Sequence, residues 1–258
     1  MSADAGAAGT RAAAPAAHAP ASPPRDNGLR TAAFFDMDGT LLHSNIVRFY
    51  LWYVNDGLRG PSRWFRKARL YASVPVYLAV DRFSRTALNH LFYRSYRGVR
   101  VEHFAAWNRE AFERMTRRRV FPDAIAEVAA LKRAGARIVL VTGATQEVVA
   151  PIAEHFGADH VIACDLEVVE GRYTGRMLSA PVGDEEKARR IREYAAREGI
   201  DLANASAYGD NFADLPMLEA AGHPVAVNPD KKLAREAARR GWPVRAWTAG
   251  DGGTALAS

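Results

Sequence analysis

Three apolar runs in this chain end abruptly in carboxylates, hydroxyls and glycines. Phe34-Phe35 leads into Asp36-Met37-Asp38-Gly39-Thr40, Ile138-Val139-Leu140-Val141 into Thr142-Gly143, and Ala205-Ser206-Ala207-Tyr208 into Gly209-Asp210-Asn211-Phe212-Ala213-Asp214. Short apolar runs without polar alternation read as strands buried on both faces of a sheet. Between them the period turns helical. Pro122 and Asp123 open a helix that runs through Lys132 and stops near Gly135, and a second runs from Gln146 to Phe156 before Gly157. Strand and helix alternate from there to Asn228, which predicts a parallel sheet covered on both faces. Open sheets of this kind gather ligands at the carboxyl ends of their strands. All three polar endings fall on that edge.

The stretch from Asn45 to Arg119 breaks the alternation and reads as several helices, separated near Gly57-Leu58-Arg59-Gly60-Pro61, Val80-Asp81 and Gly98-Val99. The expected fold class is α/β: a Rossmann-like doubly wound parallel sheet over 29–44 and 120–248, with a helical cap over 45–119 above the strand ends. Residues 1–28 are rich in Ala, Pro and small polar residues without a Leu-rich stretch, so they read as a disordered leader, not a signal peptide. Residues 249–258 read as a flexible tail.

With 258 residues and 48% hydrophobic content, the chain can bury a full α/β core plus a smaller module. No run of about 18 apolar residues is present, so no spanning helix is expected. The single Cys164 cannot form an internal disulfide, is expected to pack as a small apolar residue, and fits a reducing cytoplasm. Charge is unevenly spread: Arg48 to Arg119 holds sixteen Lys and Arg against five Asp and Glu, whereas the whole chain is net +6. The basicity therefore belongs to the cap. Aromatics concentrate there too, including Trp52, Trp64, Phe65, Tyr71, Tyr77, Phe92, Tyr93, Tyr96 and Trp107. The favoured reading is an aromatic helical core with arginines on the wet face. The sharper one is a peripheral surface for anionic lipid headgroups. No nucleic-acid-binding motif accompanies the charge, so no nucleic-acid partner is expected.

The chemistry lies in the spacing. A carboxylate at a strand end can attack phosphorus and split one hard displacement into two easier ones, which makes Asp36 the candidate nucleophile. A second carboxyl two residues on can protonate the leaving oxygen and later deprotonate a water, which is the place of Asp38. Two anions beside a phosphate need a hard cation held by carboxylates, hence Mg2+, with Asp210 as the natural ligand and Asp214 as a second ligand or support. Thr142 and Gly143 offer a hydroxyl and a backbone N–H to phosphate oxygens. Asp184 is placed as the N-cap of a helix whose first turn carries Lys187, a cation able to face the anion. Singly, each of these is commonly just a turn or a solvated charge. Their common edge and order argue that they act together. His43 lies just past the nucleophile loop, within reach of a substrate, and is read in preference as a hinge or partly buried polar residue, while His155, His160 and His223 lack ligand spacing and read as surface or element ends.

With Asp-x-Asp-Gly-Thr, Thr142, Lys187 and Gly-Asp-x-x-x-Asp in this order, residues 30 to 247 resemble the haloacid dehalogenase superfamily of phosphatases. The resemblance implies that Asp36 is the nucleophile and Asp38 the acid/base, and that Mg2+ is held by Asp36, the backbone carbonyl of Asp38 and Asp210. It further implies catalytic and substrate roles for Lys187 and substrate contacts for Thr142 and Gly143. The long insert, the hairpin-like Leu166 to Met177 and Leu215-Pro216-Met217-Leu218 look like the branch that includes phosphoserine phosphatase. That enzyme has a Glu nine residues after its nucleophile to hold the substrate's amino group. This chain has Asn45 there. The expectation is a Mg2+-dependent hydrolase of a small or lipid-like phosphate ester. The alternatives are a phosphotransferase or mutase of the same superfamily, or a binding protein that has kept the fold without turnover.

Overall fold

The computed structural model describes residues 30–44, 46–58, 64–65, 67–73 and 91–248. The leader, the tail, Asn45, Tyr77 and the expected break at Val80-Asp81 lie outside the described residues. The main sheet is built from β1 (Ala32–Phe35), β2 (Arg137–Thr145), β3 (His160–Cys164), β6 (Ser206–Gly209), β7 (His223–Val227) and β8 (Val244–Arg245), while β4 (Leu166–Val169) and β5 (Arg172–Met177) form a separate antiparallel hairpin. The main sheet runs in the order β3-β2-β1-β6-β7-β8, with every pairing parallel.

This order positions the site. The chain lays β1, β2 and β3 side by side in one direction, then returns to set β6 against the other flank of β1. Strand order reverses at β1, where an open sheet parts its connections and leaves a crevice. Phe35 is in register with both Leu140 and Tyr208, so the end of β1 lies level with the end of β6 and with the middle of β2. All four residues of β1 are buried, as a central strand covered on both faces requires. Phe35 also stacks on Tyr208 at 4.3 Å between ring centroids, and burying a side chain of this size contributes about 1.5–3 kcal/mol.

The helices Pro122–Arg133 and Gln146–Phe156 stand where their punctuation placed them. Two local expectations need correction. β2 does not stop at Val141 but continues through Thr142 and Gly143 to Thr145, which still pairs with Cys164 across a register shift. The N-cap position of the helix Asp184–Glu198 falls on Gly183, without a side-chain capping bond, and Asp184 is instead its first residue with φ 44°. A capping preference is worth about 1 kcal/mol, and here it gives way to tertiary bonds made by Lys187 in the same turn.

The described part of the cap is helical: Ile46–Trp52, a π-helical turn Tyr53–Gly57, and Val101–Ala111. Its aromatics divide. Tyr53, Phe92, Tyr93, Tyr96, Phe104 and Trp107 are buried together, with edge-on contacts such as Tyr53 to Phe104 at 4.7 Å and Tyr96 to Phe104 at 5.4 Å. Trp64 and Phe65 are instead 69% and 73% exposed, and Tyr71 is exposed as well. The expected break at Gly98-Val99 is a strand-like segment bonded to the hairpin: the Gly98 N–H donates to Tyr173 O at 2.8 Å, Tyr173 N–H to Val99 O at 3.0 Å, and Val101 N–H to Gly171 O at 3.0 Å. The cap therefore rests on β5 as well as on its own hinge. Among the described residues, no helix is long and apolar enough to cross a membrane.

Candidate active site

Asp36 leaves β1 with its backbone N–H still bonded to Tyr208 O at 2.9 Å, so the strand holds it rigidly at the sheet edge. The chain then folds back on itself. Leu41 N–H returns to Met37 O at 2.9 Å and Gly39 N–H reaches Leu42 O at 2.8 Å, while Met37, Leu41 and Leu42 are fully buried beneath the turn. Gly39 has φ +90°, and a Cβ there would lie 2.1 Å from Asp210 Oδ2. Glycine is needed both for the backbone and for the close approach of the Asp210 carboxylate. Gly209 is similar, since a Cβ would lie 2.7 Å from Asp214 Cβ.

Lys187 reaches across from its helix and is buried between two carboxylates, donating to Asp36 Oδ1 at 2.5 Å and Asp214 Oδ1 at 2.7 Å. Burial alone would lower its pKa, but Asp214 and Asp36 outweigh burial and keep the ammonium charged. The other oxygen of Asp214 accepts the backbone N–H groups of Asn211 at 3.1 Å and Asp210 at 3.3 Å. Asn211 and Asp214 form a reciprocal capping box that fixes the turn after β6. Asp210 is held at its backbone by the Asp230 N–H at 2.8 Å, and Thr40 Oγ1 donates to Asp210 Oδ1 at 3.4 Å.

The charge does not balance. Among the described residues, Asp36, Asp38, Asp210 and Asp214 face one ammonium, that of Lys187. Burial raises Asp36 first, offset in part by Lys187 and reinforced by Asp214. Burial likewise raises Asp210, followed by the fields of Asp36 and Asp214. Asp38 is pushed up to about 8, by burial and then by Asp36, and its Oδ1 is buried without a hydrogen-bond partner. Oxygens of Asp36, Asp210 and Asp214 lie within 4.8 Å of one another. A set of hard oxygen donors with surplus negative charge fits a hard divalent cation, and these residues could hold one. The Asp38 carboxylate lies outside that trio.

Thr142 is buried, and its Oγ1 accepts the Ala144 N–H at 3.0 Å. Gly143 lies beside it, and its carbonyl accepts a hydrogen bond from the hydroxyl of Tyr93 in the cap. Of the residues singled out from the sequence, Asp36, Asp38, Lys187, Asp210 and Asp214 converge, with Thr142 and Gly143 one strand away. His43 is exposed beside Phe121, at 6.5 Å between ring centroids. Sequence reasoning missed Thr40 as a donor to Asp210, although it is part of the Asp-x-Asp-Gly-Thr motif. It also missed Tyr93, which nothing distinguishes from the other cap aromatics. Cys164 is buried as expected, and its Sγ accepts the Val182 N–H at 3.2 Å.

Residues 33–219 match the haloacid dehalogenase-like hydrolase family. A probable phosphatase of Mycobacterium tuberculosis is 36% identical over 237 residues, covering 86% of this chain and 79% of that protein. A phosphoserine phosphatase of the same organism is 32% identical over 237 residues, covering 86% and 72%. Among solved structures, a protein of unknown function from Bordetella pertussis Tohama I superposes with a TM-score of 0.72 at 29% identity, over 84% of this chain and 99% of that one. The chain belongs to the haloacid dehalogenase-like hydrolase family.

Proposed function

We propose that this protein is a Mg2+-dependent phosphomonoester hydrolase that works through an aspartyl-phosphate on Asp36. The observation that carries the reading is a buried Asp36 carboxylate, clamped by Lys187 at 2.5 Å, with the unpartnered Asp38 carboxyl two residues on. The Asp36 carboxylate forms a bond to phosphorus as the ester P–O bond breaks, and the proton held by Asp38 passes to the departing oxygen. Asp38, now ionised, takes a proton from the water that attacks the phosphoenzyme; the Asp36–phosphorus bond breaks and inorganic phosphate leaves. An Asp38 pKa of about 8 suits a group that must arrive protonated near neutral pH. Lys187 keeps Asp36 ionised and balances phosphate charge, Thr142 donates its hydroxyl to a phosphate oxygen, and Gly143 leaves room beside it. Mg2+, held by Asp36, Asp210 and the Asp38 carbonyl with Asp214 in support, would supply the missing positive charge. The cap closes over this edge and excludes water.

The substrate class is a small phosphate ester. One relative is named a phosphoserine phosphatase and another, from Neisseria meningitidis, a histidinol-phosphatase, yet Asn45 replaces the carboxylate that would meet a phosphoserine ammonium. Transfer to an acceptor other than water shares the first half-reaction and is the runner-up. The lone buried Cys164 suits a reducing cytoplasm. A second role, peripheral contact with an anionic membrane surface, draws support from the exposed Trp64, Phe65 and Tyr71 beside Lys67 and Arg69. Release of inorganic phosphate from a panel of esters, with Mg2+ and with EDTA, tests the main reading. Full activity in excess EDTA, or none with Mg2+, would refute it.

A further inference from the structure

We propose that Tyr93 of the cap is a positioning residue for phosphate binding, acting through the Gly143–Ala144 peptide. The inference rests on the reading of Thr142 as a phosphate donor. Tyr93 is fully buried, with its ring packed on Phe92 at 5.4 Å and Tyr96 at 5.5 Å. Its hydroxyl reaches out of the cap to donate to Gly143 O. The N–H of the same peptide unit, that of Ala144, donates to Thr142 Oγ1 at 3.0 Å. One peptide plane is thus held at both polar ends, by the cap on one side and by the phosphate-binding threonine on the other.

The polarity matters. A hydroxyl has one proton and two lone pairs. With a lone pair of Thr142 taken by the Ala144 N–H, its proton is free to point outward, as a phosphate oxygen requires. Turning the Gly143–Ala144 peptide would break both bonds together, and a glycine at that position does little to resist the turn. The Tyr93 hydroxyl supplies the resistance. Burial, then the Cys164 thiol beside it, push the Tyr93 pKa well up, so it keeps its proton. Because Tyr93 belongs to the cap and Thr142 to the sheet, the donor is correctly aimed only when the cap is seated. Closure and phosphate recognition are then one event.

Tyr93→Phe keeps the ring and removes the hydroxyl. The loss of one neutral hydrogen bond should raise KM for a small ester and the inhibition constant for inorganic phosphate together, roughly three- to tenfold, with kcat within about twofold. In a Thr142→Val background the same change should add less than about twofold, because the hydroxyl that Tyr93 orients is gone. Unchanged KM and phosphate inhibition in Tyr93→Phe would overturn the proposal. So would a full effect in the Thr142→Val background, which would mark Tyr93 as merely structural. Should Tyr93→Phe fail to fold, hydrogen exchange on the wild-type protein decides: the Ala144 amide is expected to be protected without phosphate, and exchange at the rate of a free peptide would overturn the clamp. A wild-type protein inactive on every ester would instead defeat the phosphatase reading and the inference with it, a result distinct from an active enzyme indifferent to Tyr93.

Discussion

Asp38→Asn should make the metal-free protein more stable at alkaline pH while stopping turnover. The Asp38 carboxyl rises from 3.8 to about 8 in the folded protein. At about 1.4 kcal/mol per pH unit, that climb penalises its ionised form by roughly 6 kcal/mol, as an upper bound. The sign follows from proton linkage. A carboxyl with a raised folded pKa is neutral at no cost below about pH 4, and its contribution is lost as pH climbs to about 8, where the folded state must carry the buried charge. Asparagine never ionises. Against this gain stands the orphaned position of Oδ1, where an unsatisfied amide group costs about 1–3 kcal/mol. The net gain at pH 9 is therefore about 3–5 kcal/mol, or on the order of 6–20 °C in melting temperature for a chain of this size. Thermal melts of both proteins in EDTA from pH 4 to pH 9 measure it directly. The difference should be unfavourable by about 1–3 kcal/mol at pH 4, turn favourable through neutrality and level off above about pH 8, and Mg2+ should shrink it by favouring the ionised form. A difference independent of pH, or a variant less stable than wild type at pH 9, would refute the reasoning.

Asp210→Ala should weaken Mg2+ binding at least tenfold by calorimetry, whereas wild-type affinity should rise with pH, because the raised Asp36 and Asp210 carboxyls must shed protons as the ion binds; affinity flat between pH 5 and pH 8 would count against this. Lys187→Ala removes one partner from a buried ion cluster, which should cost about 3–5 kcal/mol in a denaturant melt as well as turnover; a variant as stable as wild type would contradict the packing described. L-phosphoserine should not be the best substrate in a panel of esters, since Asn45 carries no charge and Asp56 is already engaged by Trp107 Nε1 at 2.9 Å and Arg114 at 2.6 Å; a kcat/KM well above all other esters would overturn this. If the exposed Trp64, Phe65 and Tyr71 with Lys67 and Arg69 meet a membrane, the protein should sediment with anionic vesicles at low salt and detach as the screening length shortens toward about 8 Å; equal failure with anionic and neutral vesicles would leave the basic cap as a solvated face.

What was legible in the sequence was whatever depends on local pattern. The buried strands β1, β2 and β6 show as short, mainly apolar runs, and the helix Gln146–Phe156 ends at a glycine with φ 57°, as its punctuation implied. The candidate-site carboxylates Asp36 and Asp210 were legible because each follows a strand directly. The rest depends on contacts between distant residues. That Asp214 serves Lys187, 27 residues earlier in the chain, follows from the packing of helix against turn. Asp184 looked like an N-cap by its type, but Lys187 fixes that turn through its ion pairs and Gly183 takes the position. Tyr93 carried no signal among fifteen cap aromatics, since a tyrosine that reaches out of its cluster has the same letter as one that stays within it. The exposure of Trp64 and Phe65 was equally invisible, because composition gives the number of aromatics and not which of them find partners.

In the proposed mechanism Asp36 becomes covalently phosphorylated. Wild-type protein mixed with Mg2+ and an ester bearing a good leaving group can be quenched within the first turnover and treated with borohydride, which reduces an acyl phosphate to an alcohol. Peptide mass analysis should then find homoserine at position 36, dependent on substrate and absent from Asp36→Asn, which should also release no phosphate. Wild-type-like phosphate release by Asp36→Asn, or a modification that falls on Asp38 instead, would contradict the account.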